Sequence, residues 1–138
     1  MLHRNRKVEL IKDVPLFAGC SKKELEKIAH IADEIDLPEG KELARQGAPG
    51  REFFVLLEGS VEVTRDGRFV DTMTDGDYFG EVALVSDEPR NATVTATSPV
   101  RALVVTDREF RMLLKESPEI EAKVNAALAD RRPPAATG

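Results

Sequence analysis

The sequence predicts a mainly β protein with flanking helices, its central segment folded as a β-sandwich or barrel. Two patterns carry that prediction. From Glu34 to Thr106, short strand-like runs alternate with turn signals at Pro38-Glu39-Gly40, Gly47-Ala48-Pro49-Gly50, Glu58-Gly59, Asp66-Gly67 and Asp75-Gly76. Turns at roughly ten-residue spacing mark a small all-β unit. On either side of this stretch, apolar residues recur at helical spacing behind capping-box patterns led by Ser21 and Thr106. The organisation is helix, β-roll, helices in a single domain over 1–130, helical at 1–33, β-roll at 34–106 and C-terminal helices at 107–130. The remaining segment, 131–138, rich in proline and small residues, reads as a disordered tail.

At the N-terminal end, Arg6 to Lys12 suits a short helix that Asp13-Val14-Pro15 stops. Ser21-Lys22-Lys23-Glu24 is a capping box, in which serine and glutamate each satisfy an amide at a helix start. Leu25, Ile28, Ala29 and Ala32 then form one apolar face, and the helix should end near Ala32 or Asp33. In the β segment, Phe53, Val55 and Leu57 point one way, while Val61 and Val63 alternate with Glu62 and Thr64. Asp66-Gly67 predicts a tight hairpin, because a type I′ turn needs positive φ at both central residues. Thr93–Thr97 and Val100–Thr106 are expected to pair around Ser98-Pro99. Thr106-Asp107-Arg108-Glu109 opens a helix lined by Phe110, Leu113 and Leu114. Ser117-Pro118 opens the last one, with proline tolerated at the first position and Glu119 and Glu121 suited to the N-terminal dipole. Its apolar stripe is Ile120, Val124, Ala127 and Leu128.

The chain has 138 residues, 41% hydrophobic and 33% charged, enough to bury one core without staples. No apolar run approaches the roughly 20 residues of a membrane-spanning helix. The basic start at Met1–Lys7 precedes a segment, Val8–Ile11, too short and too charged for a signal-peptide core. A cytoplasmic protein with no membrane partner is expected. The single cysteine, Cys20, excludes an internal disulfide and reads as a small half-buried residue before a helix. A net charge of −5, with cations scattered among acids, argues against nucleic-acid binding by this chain alone. Any anion it holds must be held by local donors.

One stretch breaks the strand pattern. In Tyr78–Val94 a glycine and an acid, Gly80-Glu81, stand nine positions ahead of a lone arginine, Arg90, with Ser86-Asp87-Glu88-Pro89 between. Glycine before a helical turn permits close approach of a ligand. The first amides of such a turn lack partners and face outward, which suits an anion. An arginine grips two phosphate oxygens in a fork, each charge-assisted bond contributing roughly 1.5–3 kcal/mol. A carboxylate repels phosphate, so Glu81 makes sense only if it faces a hydroxyl some ångströms away, such as a ribose 2′-OH. Amides and arginine on a phosphate, and an acid on a sugar, together suggest a nucleotide bearing one charge. The plainer alternative is a Glu81–Arg90 surface salt bridge beside an ordinary loop.

Phe79-Gly80-Glu81-Val82-Ala83-Leu84-Val85, followed by Pro89-Arg90-Asn91-Ala92-Thr93-Val94, resembles the phosphate-binding cassette of cyclic nucleotide-binding domains. That family includes the catabolite activator protein, regulatory subunits of cyclic AMP-dependent kinase and cyclic-nucleotide-gated channels. The Glu-to-Arg spacing resembles the kinase-subunit type, and a looser likeness runs from Leu16-Phe17 to the end of the Ser117 helix. The resemblance implies a jelly-roll-like double-stranded β-helix with N-terminal helices and C-terminal lid helices. It implies a ligand, cAMP or cGMP, bound by Phe79, Gly80, Glu81, Val82, Ala83, Arg90, Asn91 and Ala92, without metal or cofactor. Arg90 would hold the cyclic phosphate and Glu81 the ribose 2′-OH. Backbone groups of Gly80 and Ala83 would line the ribose-phosphate, and Ala92 would pack against it. The helix from Ser117 would fold over the base. Asn91 departs from the alanine, serine or threonine that often follows the arginine, and leaves the choice between adenine and guanine open. The lid has no aromatic residue, only Val124, Leu128 and Arg131, and its apolar residues read as core contacts.

An enzyme is not expected. A cupin-type metal site needs clustered histidines, and His3 and His30 both fall outside the β segment. Neither Ser86 nor Thr93 has a histidine near in sequence. The expected function is a regulatory cyclic nucleotide sensor acting on an unknown protein partner or output domain. The alternatives are a degenerate β-roll interaction module, or the ligand-sensing half of a catabolite-activator-like regulator.

Overall fold

A computed structural model describes residues 4–130, and the tail at 131–138, Arg131 included, and His3 lie outside that range. Four helices and eight strands follow one another as α1 (Arg4–Ile11), a 3-10 turn (Pro15–Phe17), α2 (Lys22–His30), β1 (Asp33–Leu37), β2 (Glu42–Ala44), β3 (Glu52–Glu58), β4 (Val61–Arg65), β5 (Arg68–Met73), β6 (Tyr78–Phe79), a second 3-10 turn (Glu81–Leu84), β7 (Thr93–Ala96), β8 (Val100–Thr106), α3 (Asp107–Glu116) and α4 (Pro118–Asp130). The strands form two antiparallel four-stranded sheets, β1-β8-β3-β6 and β2-β7-β4-β5. This is the mainly β roll with flanking helices that the turn spacing predicts.

Local chemistry explains the element ends. Ser21 accepts from the Glu24 amide while the Glu24 carboxylate accepts from the Ser21 amide, completing the capping box of α2. The box on α3 forms differently. Thr106 Oγ1 accepts from the Glu109 amide, but Glu109 takes the Thr106 hydroxyl and not its amide. Thr106 is also the last residue of β8, in register with Glu52. The β4–β5 hairpin turns on Asp66 and Gly67 with φ of 55° and 76°, the geometry a type I′ turn demands.

One expected pairing is wrong. β7 and β8 do not pair; β7 lies between β2 and β4, and β8 between β1 and β3. The Ser98-Pro99 corner carries the chain from one sheet to the other. Gly59 fits under that corner, where a Cβ would collide with the Pro99 carbonyl.

Two hydrophobic clusters result, and β3 is the wall between them. Phe53 and Val55, with partly buried Leu57 packed alongside, face a helical core that includes Ile11, Leu16, Phe17, Ile28, Phe110, Ile120 and Val124. Phe54 and Leu56 face the roll interior with Val61, Val63, Phe79, Val94 and Ala102. Fully burying one such side chain stabilises by roughly 1.5–3 kcal/mol. Phe17 joins the helical core through edge contact with Phe53 and a tilted contact with Phe110. Cys20 is half-buried against this core, and burial pushes its thiol pKa up. α4 packs mainly on the first 3-10 turn and on α3. Its Lys123 reaches Glu24 at the start of α2, with Nζ and Oε1 2.6 Å apart. Val124 is a core residue of the helical cluster, with Leu128 packed against it, as their stripe suggests. Among the described residues no helix is long and apolar enough to cross a membrane.

Candidate functional site

The break in the strand pattern is a 3-10 turn set into the wall of the roll. β6 ends at Phe79, whose ring stacks on Phe54 at 5.0 Å between centroids, so its side chain serves the interior. Gly80 then takes φ +86°, a left-handed conformation that side-chain-bearing residues rarely adopt. Space restricts it further. A Cβ at Gly80 would lie 2.5 Å from Arg90 Nη1 and 2.7 Å from the Glu52 carbonyl oxygen. Glycine is required here both by the turn and by the arginine lying against it.

Arg90 arrives from the other side of the loop. Its amide donates to the Ala48 carbonyl at 2.9 Å, and its carbonyl accepts from the Gly47 amide at 2.8 Å. Pro49 and Pro89 bridge the same two segments. The side chain then runs inward, where Nη2 donates to the Glu52 carbonyl at 2.5 Å. Gly50 makes room for it, since a Cβ there would sit 3.2 Å from both Arg90 Nε and Ala83 Cβ. Gly80, Ala83, Gly50, the Glu52 carbonyl and the Arg90 guanidinium thus form one compact group.

Glu81 and Arg90 are each only 6% exposed. A surface salt bridge is therefore excluded as an account of the pair. Burial draws the Arg90 guanidinium below its ordinary pKa, with the Glu52 charge opposing. A cation stripped of water in this way gains more from an incoming anion than an exposed arginine does. Ala92 is 5% exposed beside Arg90, and Val82 is half-buried. Asn91 is exposed, and its carbonyl accepts from Arg65 Nε at 3.0 Å. The Ala83 amide donates to the Gly80 carbonyl at 3.0 Å, so it closes the turn and is not one of the outward amides expected there.

Sequence reasoning missed Gly50, the Glu52 carbonyl and Arg65. Gly50 stood in a recognised turn signal, yet only the fold shows that the arginine passes over it. Gln46 was also missed. Its side chain exchanges two 2.8 Å bonds with Asp66, pinning the β4–β5 hairpin, and its amide donates to Thr93 Oγ1. His30 lies on the rim of a separate groove between α2 and α3, of about 610 Å³, that shares no residue with the cassette. Among the described residues no group of three or more His, Cys, Asp or Glu side chains is placed to hold a metal ion.

Comparison with known proteins identifies the family. The model of the cyclic nucleotide-binding domain family matches residues 34–117. The chain is 36% identical over 132 residues to a cyclic nucleotide-gated potassium channel of Mesorhizobium japonicum, covering 96% of this chain and 37% of the channel. It is 35% identical over 106 residues to the cAMP-dependent protein kinase regulatory subunit of Schizosaccharomyces pombe, covering 76% of this chain and 26% of the subunit. The chain thus spans well under half the length of these curated relatives. Among solved structures, the N-terminal domain of a transcriptional regulator from Streptomyces coelicolor superposes with a TM-score of 0.78 at 28% identity, over 87% of this chain and 89% of that one. The regulatory domain of Toxoplasma gondii PKA, crystallised with cAMP, gives a TM-score of 0.71 at 25% identity, over 93% of this chain and 50% of that one.

Proposed function

The chain belongs to the cyclic nucleotide-binding domain family, and on that footing we propose that it is a regulatory sensor of cAMP or cGMP whose ligand docks on the Gly80–Ala92 cassette. The observation that carries the proposal is the joint burial of Arg90 and Glu81, each 6% exposed, on either side of the Gly80 turn. In this reading Arg90 grips the cyclic phosphate. Glu81 accepts from the ribose 2′-OH, Ala92 and Gly80 give close contact, and Ala83 and Val82 line the sugar. Phe79 shapes the wall from behind through Phe54. The site binds and does not turn over its ligand, so cyclic nucleotide incubated with the protein is recovered without 5′-monophosphate.

Signalling follows from differential contact. A ligand shifts a conformational equilibrium only by binding one arrangement better than another. The movable element in this reading is α4, held to α2 by Lys123 and Glu24 and to the core by Ile120 and Val124. Its altered exposure would inform a protein partner or an output domain in a cytoplasmic setting. That the relatives named above are larger proteins supports an output beyond this chain.

The test is a thermal-shift panel with cAMP, cGMP, AMP and GMP on the wild type, Arg90→Lys and Arg90→Ala. A ligand at about 100 times its dissociation constant should add roughly 2.7 kcal/mol of stability. Arg90→Lys keeps the charge without the fork, and should lose most of the ligand-induced shift while remaining folded. No shift with either cyclic nucleotide at millimolar concentration would refute the sensor and favour a degenerate interaction module. A full shift in Arg90→Ala would refute the site.

A further inference from the structure

The strand register places a second arginine at the mouth of the roll. On β4, Val61 and Val63 are fully buried in the interior cluster, while Glu62 and Thr64 alternate with them. The same alternation puts Arg65 on the interior face, where a core strand would carry an apolar residue. On β7, Val94 and Ala96 face the same interior, as does Ala92 just before the strand. The β4–β7 register runs from Val61↔Ala96 to Thr64↔Thr93 without a shift. Its next step sets Arg65 beside Ala92, and the 3.0 Å bond from Arg65 Nε to the Asn91 carbonyl agrees.

Its hairpin partner does not favour an arginine here. Across the hairpin Arg65 stands in register with Arg68. Like charges directly opposite one another destabilise a strand pair, and the chain has more acids than bases to choose from. Nor do the two site arginines duplicate one another. Arg90 runs toward Gly80, Gly50 and the Glu52 carbonyl, on the β3 side. Arg65 belongs to the opposite sheet and is steadied by the Gln46–Asp66 bonds at the adjoining turn.

We propose that Arg65 reads the purine of the cyclic nucleotide and selects guanine over adenine. The proposal rests on the cassette reading above, with the phosphate on Arg90. A guanidinium offers parallel donors, and guanine offers two adjacent acceptors, O6 and N7, that match them. Adenine presents N7 beside the N6 amino donor, which opposes one of the two. The Nε bond to the Asn91 carbonyl fixes the plane of the guanidinium, as a selective contact requires.

The experiment is a competition titration with cAMP, cGMP and cyclic inosine monophosphate on the wild type, Arg65→Lys and Arg65→Gln, with folding checked by thermal melting. Cyclic inosine monophosphate keeps O6 and N7 but lacks the C2 amino group. The wild type should bind cGMP and the inosine analogue alike, each about tenfold or more tighter than cAMP. Arg65→Gln should abolish or invert the preference, because glutamine pairs with adenine N6 and N7, and Arg65→Lys, whose ammonium still donates to O6 and N7, should keep only part of it. An unchanged ratio overturns the proposal. So does an equal loss for all three ligands, which would put Arg65 on the phosphate, or a cGMP preference that the inosine analogue does not share. If the wild type binds the cyclic nucleotides without preference, only the Arg65 assignment falls. If it binds none of them, the cassette reading falls with it.

Discussion

At the cassette, Glu81 and Arg90 are each 6% exposed, and Arg90 is positioned by a backbone carbonyl and two glycines. At the helical end, Glu24 is also buried, but its partner Lys123 keeps a side chain 39% exposed and reaches across from another helix. The Arg90 side chain rests on main chain, which has few ways to relax. The second arrangement depends on a long flexible side chain that solvent can compete for. A site preorganised by main chain suits an external ligand, because little ordering is left to do on binding. A joint made by two side chains suits an element that must come away. On the function proposed above, the difference suits the roll to fixed recognition and α4 to movement.

The largest effect that would test this contrast comes from Gly80→Ala. The new Cβ meets the Glu52 carbonyl and a left-handed backbone, so a loss of about 1–3 kcal/mol is expected. Gly40→Ala is the control, since Gly40 has φ +90° but nothing within 4 Å of where the added methyl would sit. Thermal melting should show a clearly larger drop for Gly80→Ala, with weakened ligand binding; equal drops would mean that crowding by the arginine contributes nothing.

Lys123→Met should act in the opposite sense on binding. If α4 must leave α2 for the ligand-bound arrangement, weakening the joint raises the competent fraction and lowers the apparent dissociation constant. A few-fold gain in cyclic nucleotide affinity with a small loss of melting temperature is expected. Unchanged or weaker binding, measured by calorimetry, would remove α4 from the mechanism.

The smallest effect is in pH. The Glu24 carboxyl titrates below its ordinary range, chiefly through its hydrogen bond with Lys123. Its contribution is in place above the unfolded carboxylate value and is lost as pH falls through the lowered folded one. Lys123 is shifted upward, chiefly by the same bond. Its contribution is present below the ordinary lysine value and is lost as pH rises through the raised one. The melting-temperature difference between wild type and Lys123→Met should therefore be flat through neutral pH and shrink at both extremes. A difference that varies across the neutral range would point to other groups.

Much of the fold was legible because its signals are local. The Ser21–Glu24 box, the Asp66-Gly67 turn and the Gly80 break each depend on residues within a few positions. The β7–β8 pairing was misread because a turn signal marks a reversal but not the sheet to which the chain returns. The partners of β7 and β8 lie far away in sequence, at β2 and β1. The candidate site could be named from sequence where residue type carries the chemistry, as at Glu81 and Arg90. It was illegible where the main chain does, as at the Glu52 carbonyl. The role proposed for Arg65 was hidden for a third reason: it depends on register, and β4 alone reads as an ordinary amphipathic strand with a charged end.

The Pro49–Pro89 bridge has a consequence for fidelity of folding. Arg90 uses both its amide and its carbonyl against the Gly47–Ala48 segment, and proline has no amide to offer. Sliding Pro89 into the place of Arg90 would leave the Ala48 carbonyl without its donor. A one-residue slip also turns every side chain to the opposite face. The ratchet blocks slippage in that direction, so the chain cannot shift Pro89 into Arg90's place, and thereby turn the guanidinium away from the cassette, without losing a hydrogen bond.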